Sequence, residues 1–74
     1  MLRLNTAVSR EVSAELERQE LKPKAVTFWL GVGDRRASNL CKGSAVWTLE
    51  ELEACAEGMG VSLSDLLSRV AARL

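Results

Sequence analysis

The stretch Gly31-Val32-Gly33-Asp34-Arg35-Arg36-Ala37-Ser38-Asn39-Leu40-Cys41-Lys42-Gly43 decides how this chain folds. Glycine closes it at both ends, and glycine tolerates the left-handed backbone in which helices commonly stop. Gly31 therefore predicts the end of one helix and Gly43 the end of the next. Gly33 permits a tight restart between them. The spacing predicts a short helix over 34–42 with Ala37 and Leu40 turned inward, and Val32 plugging the junction.

Working outward toward the amino terminus, Pro23 suits the first position of a second helix, where its missing N–H costs nothing. That helix runs through Val26 and Leu30 to Gly31. The residue before a proline is pushed out of the helical region, so Leu21-Lys22-Pro23 ends the first helix. Val8, Val12 and Leu16 recur every fourth residue as its apolar stripe, and Asn5 or Thr6 is the expected cap. Toward the carboxy terminus, Thr48 and Glu51 have the spacing of a capping box, with Trp47 and Leu52 at the staple positions. Leu49, Leu52, Cys55, Ala56 and Met59 form the face of a fourth helix, which Gly58 and Gly60 end. Ser62 and Asp65 resemble a second box, with Val61 and Leu66 around it. Leu63, Leu66, Leu67, Val70 and Leu74 make the fifth stripe. No segment alternates with period two for long. The expectation is a compact all-α, five-helix fold, one domain over residues 1–74, without repeats or a dividing linker.

Composition narrows the function classes. A chain of 74 residues buries a thin core, so a partner would matter to its stability. The apolar share, 47%, is that of a globular chain and argues against disorder. No apolar run reaches the roughly 18 residues of a membrane span. MLRLNTAVSR lacks an apolar segment followed by a small-residue cleavage site, so no signal peptide and a cytoplasmic location are expected. The chain has no histidine, and its two cysteines, Cys41 and Cys55, are too few for zinc. They read as reduced, buried or half-buried thiols. No metal, cofactor or enzymatic constellation is expected. The acids Glu50, Glu51, Glu53 and Glu57 read as a solvated helix face. Charge is unevenly placed: residues 1–47 carry eight Lys/Arg against five acids, a balance of +3, and residues 48–74 carry two against five, a balance of −3. One end can therefore steer toward phosphate.

Two short helices around a glycine-marked turn have the form of a helix-turn-helix, whose second helix enters the DNA major groove. GVGDRRASNLCKG resembles the turn and recognition helix of the λ-repressor-like (Cro/cI, Xre-type) DNA-binding domains. Gly31, Val32, Ala37, Leu40 and Gly43 fall on that family's turn, core and stop positions. LEELEACAEGMGVSLSDLL, residues 49–67, is similar to its fourth and fifth helices. The resemblance spans about residues 6–68, and it rests on the agreement of five helices and their spacing. It implies a sequence-specific regulator of transcription that binds double-stranded DNA, a repressor or Cro-like phage switch, complete or the amino-terminal part of a longer repressor. Three departures stand out. Thr27 replaces a usual alanine. Leu16 and Cys41 replace an Arg–Glu pair, so these two are expected to touch. Pro23 replaces a polar phosphate-binding residue, with Lys22 and Lys24 beside it.

The resemblance implies roles for single residues. Arg35 falls where the family most often reads base edges, and arginine can fork onto guanine O6 and N7. Asn39, one turn on, suits adenine. Asp34 either accepts from cytosine N4 or only favours the helix N-terminus. Ser38 shares that face. Arg36 points to the side and, with Lys42, Lys22 and Lys24, is assigned to phosphates, which position rather than specify. Phe28 and Trp29 are unusual on a second helix. Either one ring joins the core or both form an apolar patch for a partner or for stacked bases. The alternative function is a protein-interaction module of antitoxin or anti-repressor type, using Phe28, Trp29 and the acidic half. Val70, Ala71 and Leu74 extend the last stripe and are expected to form a weak homodimer contact on DNA. The competing expectation packs them under the first helix around Leu2 and Leu4.

Overall fold

The computed structural model describes residues 3–74 and holds, among them, five helices and no strand: α1 (Arg3–Arg18), α2 (Lys24–Leu30), α3 (Asp34–Lys42), α4 (Leu49–Met59) and α5 (Leu63–Ala72). Leu2 lies outside the described residues. The helix ends follow their local signals. Gly31 has φ +65° and donates its N–H to the Thr27 carbonyl, closing α2. Gly43, at φ +85°, closes α3 on the carbonyls of Asn39 and Leu40. The Thr48 hydroxyl accepts from the Glu51 N–H at 3.1 Å, and the Glu51 carboxylate accepts from the Thr48 N–H at 2.9 Å, a complete capping box.

Helix α1 is the axis of the fold, packing against α3, α4 and α5, while α2 packs on α3 and α4. Its stripe Val8, Val12 and Leu16 is buried with Val26, Ala37, Leu40, Cys55, Leu66 and Val70. Trp29, Val32 and Trp47 close over this core from the side.

Four expectations need correction. Asn5 does not cap α1, which already includes Arg3. It is a buried interior residue whose amide spans to the α3–α4 loop: Nδ2 donates to the Ala45 carbonyl at 2.9 Å, and Oδ1 accepts from the Trp47 N–H at 2.8 Å. Gly58 does not end α4; Gly60 does, at φ +71°. Leu49, Leu67 and Leu74 are exposed rather than inward, because each sits at the margin of its stripe. Val70 is not an external dimer contact. It is 1% exposed, inside the core, while Ala71 and Leu74 face outward.

Gly58 has a packing reason to be glycine. A Cβ there would fall inside contact distance of Trp29 Cγ, Cδ2 and Cε2, so the indole of α2 lies directly on the α4 backbone. In an open helix, Gly→Ala stabilises by up to about 1 kcal/mol. Here we expect Gly58→Ala to destabilise by about 1–3 kcal/mol, the usual overpacking cost. Thermal unfolding checks the sign; a rise in Tm would show that the ring moves aside freely.

The α1–α5 seam is ionic. Glu11 and Glu15 of α1 keep only 4% and 10% of their side chains exposed. Glu11 accepts from Arg18 at 2.7 Å and from Arg73 Nε at 2.9 Å. Glu15 accepts from Arg18 at 2.8 Å, Arg69 at 2.7 Å and Gln19 at 2.9 Å. Burial pushes the Glu11 carboxyl up, but the Arg73 and Arg18 guanidiniums outweigh it and hold it below the ordinary range. Glu15 is held low by the Gln19 amide and by Arg18 and Arg69, against its burial. Arg3 adds a hydrogen bond to the Leu74 carbonyl at 2.7 Å. The carboxy-terminal turn is thus tied back onto α1 within one chain.

Candidate nucleic-acid interface

The site is built from α2, the three-residue turn Gly31–Gly33, and α3. Val32 is half-buried against the core and fixes the turn. Ala37 and Leu40, at 1% and 0% exposure, root α3 from beneath. Asp34, Arg35, Ser38 and Asn39 are thereby turned out. Asp34 and Arg35 are exposed, and Ser38 and Asn39 are half-exposed. None of these four side chains is engaged within the protein, so their donors and acceptors remain available.

A groove of about 210 Å³ runs between the start of α2 and the outer face of α3, and Lys24, Thr27, Asp34 and Ser38 line it. It brings one expected phosphate ligand, Lys24, beside two expected base readers. Pro23 stands at the N-cap of α2 with φ −53° and ψ −22° and no side-chain cap. The Thr27 hydroxyl returns to the Lys24 carbonyl at 2.5 Å, which satisfies it inside its own helix. Lys22 and Lys42 are exposed and form no ion pair.

Arg36 departs from its expected role. Its guanidinium forks onto Glu51, Nε to Oε2 and the terminal nitrogen to Oε1, both at 2.9 Å, and reaches the Val46 carbonyl at 3.3 Å. A phosphate contact by Arg36 would compete with this fork. Glu51 in turn is no freely solvated acid, since its side chain is 14% exposed. Burial pushes its carboxyl up, and Arg36 with the Thr48 N–H more than offsets that and holds it low. The pair ties α3 to the first turn of α4.

Phe28 and Trp29 part company. Phe28 is 89% exposed, whereas Trp29 lies against Gly58 and the core. Leu16 is buried and Cys41 half-buried, and both line one cavity between α1 and α3. Burial pushes the Cys41 thiol up, and burial, helped by Cys41 and Glu51, pushes the Cys55 thiol up to about 12. Both thiols are free and protonated at neutral pH. Among the described residues no group of three or more His, Cys, Asp or Glu could hold a metal ion, and no helix is long and apolar enough to cross a membrane.

Five arginines, Arg3, Arg18, Arg36, Arg69 and Arg73, are engaged in intramolecular hydrogen bonds or ion pairs. Arg10, Lys22, Lys24, Arg35 and Lys42 are not. Sequence reasoning missed the pairing of Glu51 with Arg36, because it read Glu51 as part of a solvated face and as a cap residue. Neither family models, nor curated proteins, nor solved structures give a match to this chain.

Proposed function

We propose that the protein is a sequence-specific regulator of transcription that binds double-stranded DNA through α3 and acts by occluding promoter DNA. The observation that carries this reading is the unengaged outer face of α3, Asp34, Arg35, Ser38 and Asn39, rooted by Ala37 and Leu40 and joined to α2 by a three-residue turn. A nine-residue helix is about 13 Å long, and a helix about 10–12 Å across fits a major groove about 12 Å wide. Four of the five unengaged cations lie on α2, α3 or the residues just before α2, where phosphates flank such a helix. The fork of Arg36 onto Glu51 supports this reading in a second way, because it braces α3 without using its outer face.

A binding selection on random duplex DNA tests the proposal. It should return a defined site, with affinity falling steeply as salt rises. On that site Arg35→Ala should cost about 1–3 kcal/mol and relax the choice at one base pair. Equal weakening on every sequence would reduce Arg35 to a phosphate contact.

The second reading is a protein-interaction module, and the exposed Phe28 ring favours it. Trp29 does not share that surface, because its ring is committed to Gly58. A complex anchored on Phe28 would be mainly apolar and nearly indifferent to salt. Selection of no duplex, together with salt-insensitive binding to a protein, would favour it.

A further inference from the structure

One basic residue of α1, Arg10, has no partner among the described residues. Arg10 is exposed and unengaged, although five of the other nine Lys/Arg are used inside the fold. It lines a cavity of about 570 Å³ that also touches Pro23, at the start of α2, and Cys41, in the last turn of α3. Arg10 therefore faces, across this cavity, Pro23 and Cys41, whose chain neighbours are Lys22 and Lys24 at the start of α2 and Lys42 at the end of α3; Arg73 lines the cavity as well. Glu17 lines this cavity too, but no ion pair joins it to Arg10.

Resting on the DNA reading above, we propose that Arg10, and not Arg36, completes the phosphate-contacting set with Lys22, Lys24 and Lys42. The argument is one of counterions. A cation that neutralises a phosphate on binding releases a condensed ion, and each such contact adds about 0.9 to the slope of log K against log salt. Arg36 is already neutralised by Glu51 at 2.9 Å. Moving it to a phosphate would strand a carboxylate that is 14% exposed, and burial without a partner is costly. Arg10 gives up no internal partner when it meets a phosphate. Pro23 cannot donate a hydrogen bond at the start of α2, so an anchor from α1, across the cavity, takes that place.

The test measures affinity against salt for the full chain on its selected duplex. Arg10→Ala should lower the magnitude of the slope by about 1 and weaken all duplexes alike. Arg10→Lys should restore the slope, because only charge is needed. Arg36→Ala should leave the slope unchanged. Should that variant unfold, Arg36→Met combined with Glu51→Gln removes both charges while keeping a residue able to close the capping box, and its slope should match the wild type. An unchanged slope in Arg10→Ala overturns the proposal, as does a loss of about 1 on removing Arg36. A wild type that binds no duplex, or binds without salt dependence, is a separate outcome: it removes the DNA reading itself, and this proposal with it, before any variant is compared.

Discussion

A chain cut after Ser68 is expected to be unfolded at neutral pH, not a folded monomer deprived of a dimer contact. The cut removes Val70, which is 1% exposed, and burying a valine is worth about 1.5–3 kcal/mol. It also removes Arg69 and Arg73, the partners of Glu15 and Glu11. Arg18 and Gln19 remain to hold those carboxylates, so the loss is partial. The roughly 3–5 kcal/mol lost on breaking a fully buried pair is an upper bound here, because the Arg69 and Arg73 side chains are 44% and 36% exposed and solvent screens them. A domain of 74 residues has about 4–11 kcal/mol to lose at typical stability per residue. Circular dichroism of the truncated chain checks this; a cooperative transition near the wild-type Tm would refute it. The same carboxylates set an acid limit. Both are held below their ordinary value of 4.5 in the folded protein. Their stabilisation is therefore complete above that pH and is lost as pH falls through the lower folded values. Tm should fall between pH 5 and pH 3, and less so where Glu11→Met removes one of the two carboxylates.

Legibility followed range along the chain. Gly31, Gly43, Gly60 and the Thr48–Glu51 box were readable because each acts within one helical turn, on backbone groups whose need is fixed by the helix itself. The middle of each apolar stripe was readable for the same reason. Its margins were not: Leu49 and Leu67 fit the period, and only the position of the neighbouring helix decides that they face out. Gly58 was misread because a glycine inside a helix and one ending it look alike until Trp29, twenty-nine residues away, is seen to lie on it. The pairing of Glu15 and Glu11 with Arg69 and Arg73 was not legible, because those partners come from the far end of the chain. Within the site, the outer face of α3 followed as the complement of Ala37 and Leu40. Arg36 did not, since charge alone does not tell a free guanidinium from one forked onto a carboxylate fifteen residues on.

Asn5 offers a sharp test of local against long-range reading, because the two predict opposite results for one substitution. As a helix cap, asparagine and aspartate are nearly equivalent, so Asn5→Asp would change stability by a few tenths of a kcal/mol and Asn5→Ala would cost about 1. In the fold the residue is 9% exposed, and its side chain must both donate, to the Ala45 carbonyl, and accept, from the Trp47 N–H. Aspartate can only accept when ionised, so it would hold Trp47 but set a carboxylate against the Ala45 carbonyl. Alanine would leave both backbone groups short of a partner. Each unsatisfied buried group costs about 1–3 kcal/mol. We therefore expect both substitutions to destabilise by about 2–4 kcal/mol. The effect should spread to the indole of Trp47, whose Nε1–H is shared between Ser9 Oγ at 3.0 Å and the Leu40 carbonyl at 3.2 Å. Because Leu40 roots α3, loosening this loop should also blunt recognition by the proposed reading helix. Denaturant unfolding of the two variants decides between the readings: a neutral Asn5→Asp would return Asn5 to the role of a cap, while a loss at least as large as that of Asn5→Ala places it as the tie between α1 and the α3–α4 loop.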